Sequence, residues 1–507
     1  MTDKIDKLFL LLVCLITLIL YMLTSLTINE FNVTYSLFSL VSLISITISI
    51  YLKNLSTLIF NTLLYLGFFF KISIIITIEQ NYGKDIFFEE ALTIINFNSD
   101  IFKSILTKLI FFYIFFSICE IIYTKSFKIC LTKKDELKKN QLEKFILNNK
   151  KYLIISVLIF VILINTINLL FGITYRGKVF EFGFIELIFK TLNFFLSLSI
   201  ICIIADIDFK KANKYSIIIL ILLIFSSIFN HFTLLSRSGI FELITILYIV
   251  SKTEFKKGII LLALSTIIWA VSVKQVNENR ANKNISLNAD ILEKELNQSK
   301  EKTILKTQFE EVNNSETTSD DKKAIKNTLI FEDEIISENL VQKIKSNNFY
   351  YLMTYRWVGI DGIINVELKD DRNLLTFINA LKEEYTIGDP TYYEKEFFRI
   401  PDKSSYNQVF IPGFLAFFNY SNIDTLFYLS AIFVAFLLLS FEYLILKLFY
   451  EYNLFRGLIS YIVAWRIIHF GISPINTLNY FILILLTIIS IKILIVIFEN
   501  IYKEDYQ

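Results

Sequence analysis

Lysine is the default cation of this chain. Of its 50 lysines and arginines only eight are arginine: Arg176, Arg237, Arg280, Arg356, Arg372, Arg399, Arg456 and Arg466. A guanidinium is a planar, permanently charged fork that grips phosphate bidentately, which an ammonium cannot do. Each arginine therefore marks a position where a compact point charge does not suffice. In Ser236-Arg237-Ser238-Gly239 an arginine sits between small hydroxyl residues at the start of an apolar run, with Glu242 about one turn beyond. A helix start of that kind can hold phosphate with help from backbone N–H groups, whereas helix N-terminal ends ordinarily favour acidic residues. Arg466 and His469 lie three apart, on one helix face, ahead of Gly471-Ile472-Ser473-Pro474. That pair fits an interfacial anchor as well as it fits a site. The chemistry within reach of these residue types is the binding of a phosphate-bearing substrate, with proton transfer by a histidine or carboxylate.

The elements that must position them are membrane spans. Hydrophobic residues make up 54% of the chain, well above a soluble average. Crossing about 30 Å of hydrocarbon takes roughly 20 apolar residues. About twelve runs approach that length, near 8–29, 32–52, 55–78, 101–124, 152–173, 183–205, 215–235, 238–251, 258–275, 423–446, 454–470 and 476–498. The eighth is short enough to be tilted, broken or re-entrant. The first is too long for a cleaved signal peptide and lacks a small-residue cleavage site. Lysines sort the sides: Lys4 and Lys7, the stretch from Lys125 to Lys151, Lys210 to Lys214 and Lys252 to Lys257 all fall on one side, which the positive-inside rule makes cytoplasmic. Seven of the eight arginines then fall on the opposite, outer side or at its membrane edge, Arg456 being the exception. The chain divides into an N-terminal bundle of about nine spans over 1–275, a large outer loop over 276–410, and a C-terminal bundle over 411–507 with a re-entrant element and about three spans.

Several function classes are disfavoured. The net charge of +2 is no nucleic-acid signature, since the charges are sorted by membrane side. The four cysteines (Cys14, Cys119, Cys130, Cys202) avoid the outer loops, so no disulfide framework is expected there. With two histidines and no CxxC or HExxH motif, no metal site is expected. No Walker-type or GxGxxG loop is present. Within the outer loop, Asn277 to Asn348 is polar and charged, a composition of exposed helix or linker. From Phe349 it turns aromatic, with Tyr350, Tyr351, Tyr355, Trp357, Tyr385, Tyr392, Tyr393, Phe397, Phe398 and Tyr406 among arginines and carboxylates. Such a surface suits sugar rings, and it equally suits the membrane interface. All four prolines (Pro390, Pro401, Pro412, Pro474) lie on the outer side. Ile411-Pro412-Gly413-Phe414 and the apolar run to Tyr420 predict a partly embedded, non-spanning element. Glu186 and Lys190, four apart in the sixth run, are expected to neutralise each other on one helix face.

Four blocks together carry a resemblance: Ser236-Arg237-Ser238-Gly239; Tyr355-Arg356-Trp357-Val358-Gly359-Ile360-Asp361-Gly362 after the long polar loop; Pro412-Gly413 before an apolar run; and Trp465 to Pro474 near the C-terminus. In order and in layout the chain resembles the Wzy-type O-antigen (oligosaccharide repeat-unit) polymerases. The resemblance implies an all-α integral membrane protein of the GT-C-like class, about 12 transmembrane helices with one large periplasmic loop, in a bacterial inner membrane. It implies glycosyl transfer between undecaprenyl-diphosphate-linked oligosaccharides, with no metal, cofactor or nucleotide sugar. A Wzz-type chain-length regulator is an implied partner; nucleic acid is not. In that chemistry the departing lipid diphosphate gains negative charge, and arginines that bind it more tightly as it does so lower the barrier. Arg237, Arg356 and Arg280 are the expected clamp, supported by Arg176, Arg399 and Arg466. His469 and Asp361, then Glu394, are the expected general base. The chain departs from the family in one respect: two loop repeats pairing an arginine with a glycine about ten residues on are not both found, the glycine being missing after Arg356 and Arg399. An O-antigen ligase, transferring the same donor to lipid A-core, is the nearest alternative and shares the GT-C architecture, the long outer loop and the arginines. A lipid-linked oligosaccharide flippase is the alternative of another class; it would show two similar halves and polar residues deep in the spans, and no internal duplication is apparent.

Overall fold

The computed structural model describes residues 2–27, 33–79, 85–88, 93–96, 100–130, 146–171, 173, 188–189, 191–210, 216–234, 239–253, 258–265, 267, 358–383, 391–397, 412–449, 452–470 and 474–504. Two compact units divide the chain, one of Met1–Val273 with Trp357–Gln507 and one of Lys274–Arg356. All described residues belong to the first.

The described residues of that unit are helical apart from one hairpin and short connecting turns. Helices α1 (Thr2–Thr27), α2 (Val33–Leu52) and α3 (Leu55–Tyr65) are followed by a π-helical turn at Leu66–Phe70 and by α4 (Lys71–Glu79). Strands β1 (Asp85–Phe88) and β2 (Thr93–Asn96) pair antiparallel, Asp85 opposite Asn96 and Phe88 opposite Thr93. The hairpin is a small local exception within the expected all-helical architecture: two short isoleucine- and phenylalanine-containing segments, too brief to span, pair with each other. Then come α5 (Asp100–Cys130), α6 (Lys150–Phe171), a second π-helical stretch at Thr191–Ser197 leading into α7 (Leu198–Lys210), α8 (Ser216–Leu234) and α9 (Gly239–Thr253). After the second unit the chain returns with four short helices, α10 (Ile360–Glu367), α11 (Leu374–Leu381), α12 (Tyr392–Glu396) and α13 (Phe414–Asn419). It finishes with α14 (Asp424–Phe449), α15 (Asn453–Ile468) and α16 (Pro474–Glu504).

Among the described residues, seven helical stretches are long and apolar enough to cross a bilayer: Lys4–Ser25, Val33–Leu52, Leu55–Thr77, Asp100–Phe127, Lys150–Phe171, Asp424–Phe449 and Thr477–Ile497. By helix hydropathy the chain is a multi-pass membrane protein. The other expected runs contain shorter helices among the described residues. α15, at 16 residues, is about 24 Å long, less than the hydrocarbon thickness.

Lipid is as apolar as leucine, so burial alone does not drive such helices together; close packing and interhelical polar contacts do. One polar cluster joins α2, α3 and α5. The Glu120 carboxylate accepts from Ser49 Oγ (2.9 Å), Asn54 Nδ2 (3.1 Å) and Thr57 Oγ1 (2.5 Å), and Asn54 also reaches Thr124. Two helix starts at the same end of the bundle are capped from neighbouring helices. Glu442 of α14 accepts from the amides of Leu55 (2.8 Å) and Ser56 (2.9 Å) at the start of α3. Asp206 of α7 accepts from Leu454 (2.8 Å) and Phe455 (3.3 Å) at the start of α15. The local cap positions, Asn54 and Tyr452, make no side-chain cap bond. α3 and α15 start at one end and pack side by side, so their dipoles lie parallel, and the carboxylates offset the partial positive charge that both helices place there.

Candidate functional site

At the opposite end of the bundle the returning chain is sunk among the spans. The π-helical turn at Leu66–Phe70 changes the phase of the third span by about one residue and is followed by Lys71, a charge inside an otherwise apolar run. Lys71 is fully buried, and its Nζ lies 2.6 Å from Asp361 Oδ2 at the start of α10, itself 1% exposed. Burial pushes the Asp361 carboxyl above the ordinary aspartate range, with Lys71 acting against it. Beside the pair the two backbones touch: a Cβ on Gly359 would stand 1.8 Å from the Gly67 carbonyl oxygen. No residue larger than glycine fits either position without separating α10 from the span.

The same contacts gather blocks far apart in sequence. A Cβ on Gly362 would meet the Pro412 carbonyl at 2.2 Å. Gly413 takes φ +84°, the left-handed region that favours glycine, and a Cβ there would stand 2.4 Å from Val358 Cγ1 and 3.4 Å from the Ile468 carbonyl. The end of α15 is thereby seated against α13, with Phe417 and Phe470 ring centroids 4.9 Å apart. α13 is six residues long, far too short to span, and nearly all of it is buried.

A second charged cluster holds the far end of α10. Lys108 of α5 lies 3.0 Å from Glu367 Oε1, 3.2 Å from Asn419 Oδ1 and 3.4 Å from Asp424 Oδ1. Arg372 Nη1 donates to Glu367 Oε2 at 2.8 Å, and Asn419 Nδ2 to the same oxygen at 2.7 Å. Burial pushes the Glu367 carboxyl up, but the Asn419 amide, Lys108 and Arg372 together outweigh it and hold it below the ordinary glutamate range. Outside this cluster, Lys369 bridges to Glu396 at 2.7 Å, and Asn365 donates to the Tyr393 hydroxyl at 3.0 Å, docking α12 on α10.

The expected site residues fall into three groups. Arg237, Arg356, Arg280, Arg176 and Arg399 lie outside the described residues, as do Glu186 and Lys190. Asp361 is an inward-facing ion-pair member, and Glu394 completes a capping box: it accepts from the Thr391 amide (2.7 Å) while its own amide donates to Thr391 Oγ1 (3.2 Å). His469 and Arg466 are half-buried at the end of α15. The His469 ring stacks on Trp465, centroids 3.9 Å apart, and its Nδ1 lies 3.0 Å from the Trp465 carbonyl. A carbonyl only accepts, so Nδ1 carries the proton and the lone pair of the neutral ring is on Nε2. The Arg466 guanidinium lies 4.4 Å over the Tyr480 ring of α16.

Lys71 and Lys108 escaped the sequence reading, which looked for arginines in the loops. The signal was present for Lys71, the lone cation of its apolar run, a position that demands a partner; Lys108 shares its run with Lys103. Arg372 was counted among the outer arginines but given no role. No family model matches this chain, and neither curated proteins nor solved structures yield a match.

Two predictions follow from these clusters. Removing one partner of a buried pair leaves a buried polar group uncompensated, at a cost of about 3–5 kcal/mol. Lys71→Met and Asp361→Leu should each lower the thermal midpoint of the purified protein sharply. The double variant should recover most of the loss; an additive double variant would mean that the two side chains do not depend on each other. For Glu367, a carboxyl held below its unfolded value of about 4.3 contributes stability that is fully present above that pH. That contribution is lost as pH falls through the folded value. The midpoint should drop in that acidic window, and Glu367→Gln should flatten the drop while lowering the midpoint at neutral pH.

Proposed function

We propose that this protein is a membrane glycosyltransferase that polymerises undecaprenyl-diphosphate-linked oligosaccharide repeat units into O-antigen or capsular polysaccharide. In this reading it acts at the periplasmic face of a bacterial inner membrane. The observation that carries the reading is the meeting of three of the four resemblance blocks: Val358 to Gly362, Pro412-Gly413 and the end of α15 contact one another at glycines. Blocks that build one local structure are less easily chance matches than blocks scattered over a chain. The fourth, around Arg237, lies outside the described residues apart from Gly239.

The proposed division of labour follows from exposure. Asp361 is sealed against Lys71, and a general base must come within hydrogen-bond reach of the proton it takes. Asp361 is therefore assigned to positioning, with Glu394 in a helix cap. His469 is assigned the base: Nε2 takes the acceptor hydroxyl proton as the hydroxyl oxygen bonds to the anomeric carbon. The bond from that carbon to the diphosphate oxygen breaks, and the diphosphate leaves with the electron pair. Arg466, with Arg237, Arg356, Arg280, Arg176 and Arg399, is assigned to the lipid diphosphate, where single donors are worth about 3–4 kcal/mol. The ligase and flippase readings differ from this one in acceptor and in class.

The test is a gel of products from purified protein given only an undecaprenyl-diphosphate-linked repeat unit. A ladder spaced by one repeat is expected. Arg237→Lys and Arg356→Lys should each abolish it without harming membrane insertion, and His469→Ala should reduce it by about 10²–10⁴-fold. Transfer only after lipid A-core is added would identify a ligase. Silence in both assays from folded protein would point to transport, and full activity in both lysine variants would remove the clamp.

A further inference from the structure

α11 does not spend all of its apolar side chains inside the protein. Phe377 and Ala380 are buried, and the Phe377 ring packs on Phe417 and Phe418 of α13, centroids 5.1 and 5.6 Å apart. Leu374, Leu375 and Leu381, by contrast, are 49%, 64% and 38% exposed. At about 100° per residue the side chains fall in a definite order around the helix. Beside the buried face of Phe377 and Ala380 come Leu381, Leu374, Ile378 and Leu375, and beyond them Asn379, Glu383 and Thr376. A helix set between a core and water needs two faces. This one has three, and the middle one is apolar and exposed.

Contacts at its start fix the height at which α11 sits. Its N-cap, Asn373, directly follows Arg372. Arg372 Nη1 lies 2.8 Å from Glu367 and 3.3 Å from the Asn419 carbonyl. Glu367 lies 3.0 Å from Lys108 Nζ, which in turn is 3.4 Å from Asp424. Asp424 is the first residue of the bilayer-long stretch Asp424–Phe449, and its side chain, 61% exposed, marks where that span meets water. α11 therefore begins beside the boundary at which α14 enters the membrane. It also packs on α16, whose first turns expose Ile475 and Leu478. The exposed leucines thus adjoin a spanning helix that turns apolar side chains outward at the same end.

We propose that α11 lies in the plane of the membrane, with Leu374, Leu375, Ile378 and Leu381 inserted among the acyl chains of the leaflet where α14 begins. Asn379 and Glu383 then face water, the division of faces that an interfacial helix makes. Lys382, exposed and just past the last turn, lies on the leucine side. A lysine there runs its stem along apolar surface while its ammonium reaches the headgroups. A patch of this size on a helix of eight residues falls short of the roughly 800 Å² per partner of a stable protein interface. Lipid is present at that boundary in any case, because the spans require it. The glycosyl-transfer reading does not enter the argument.

The test places a photoreactive benzophenone on the full chain in nanodiscs of a single phosphatidylcholine, with no lipid-linked sugar present. The variants are Leu375→benzoylphenylalanine on the leucine stripe and Asn379→benzoylphenylalanine on the polar face. Leu429→benzoylphenylalanine, at an exposed position within the span of α14, sets the yield of a lipid-facing site. After irradiation, intact-mass spectrometry should find phospholipid adducts at position 375 in a yield near that of position 429 and several-fold above that of position 379. A yield at 375 no higher than at 379 overturns the proposal. So does capture of a second copy, or of another part of the chain, in place of lipid. With no sugar substrate in the assay, such a failure leaves the transfer reading standing.

Discussion

A lysine in the middle of an apolar helix has to be answered by a counter-charge, because hydrocarbon offers its ammonium nothing. Lys71 is answered by Asp361, 290 residues further along the chain and 2.6 Å away in space. The distance in sequence is what gives the pair its consequence. To meet Lys71, the returning chain has to descend to the depth of the span and lie against it. That contact in turn requires glycine on both sides, at Gly67 and Gly359, and the π-helical turn before Lys71 sets the phase that presents them. Once α10 lies there, Gly362 fixes Pro412, and Gly413 fits between Val358 and the end of α15. The cluster of Lys108, Arg372, Asn419 and Glu367 then holds the other end of the same helix. Eight residues of helix are thus held by one ion pair at the first end and two at the other.

The same economy recurs across the molecule. At three further places a polar group sunk in the bundle meets a partner from a neighbouring helix: Glu120 for Ser49, Asn54 and Thr57, Glu442 for the start of α3, Asp206 for the start of α15. These contacts specify which helices are neighbours, which apolar packing in lipid does only weakly. The end of α15, where Trp465, Arg466 and His469 stand, is seated instead by Gly413 and by the Phe417–Phe470 ring contact. A residue asked to accept a proton from a bound hydroxyl needs such a mount, since a small displacement of the base costs much of its effect.

Seven of the expected spans were legible in the sequence because about twenty apolar residues in a row admit few other structures. So was the short α13, flagged by Pro412-Gly413 ahead of an apolar run too brief to cross. The hairpin at Asp85–Phe88 and Thr93–Asn96 was not, since four-residue strands carry little periodicity. The candidate site was legible only in part. His469 and Arg466 stand at the end of α15, as their spacing implied. The roles of Asp361 and Glu394 depend on partners that sequence does not reveal: the first meets a lysine in a distant span, the second a threonine three residues back whose capping box is plain only once the helix boundary is known. Lys71 and Lys108 are not legible as anchors, because a lysine in an apolar run gains its meaning only from the carboxylate that meets it in the fold.

The most direct measurement is hydrogen–deuterium exchange of the protein in nanodiscs, followed over Ile360–Glu367 and Phe414–Asn419. Helices latched into the bundle open only with it, so these amides should exchange as slowly as those of α15. Lys71→Met should release α10 while α15 stays protected. Exchange of α10 and α13 within seconds in the wild-type protein, as in an exposed loop, would contradict the account at its root.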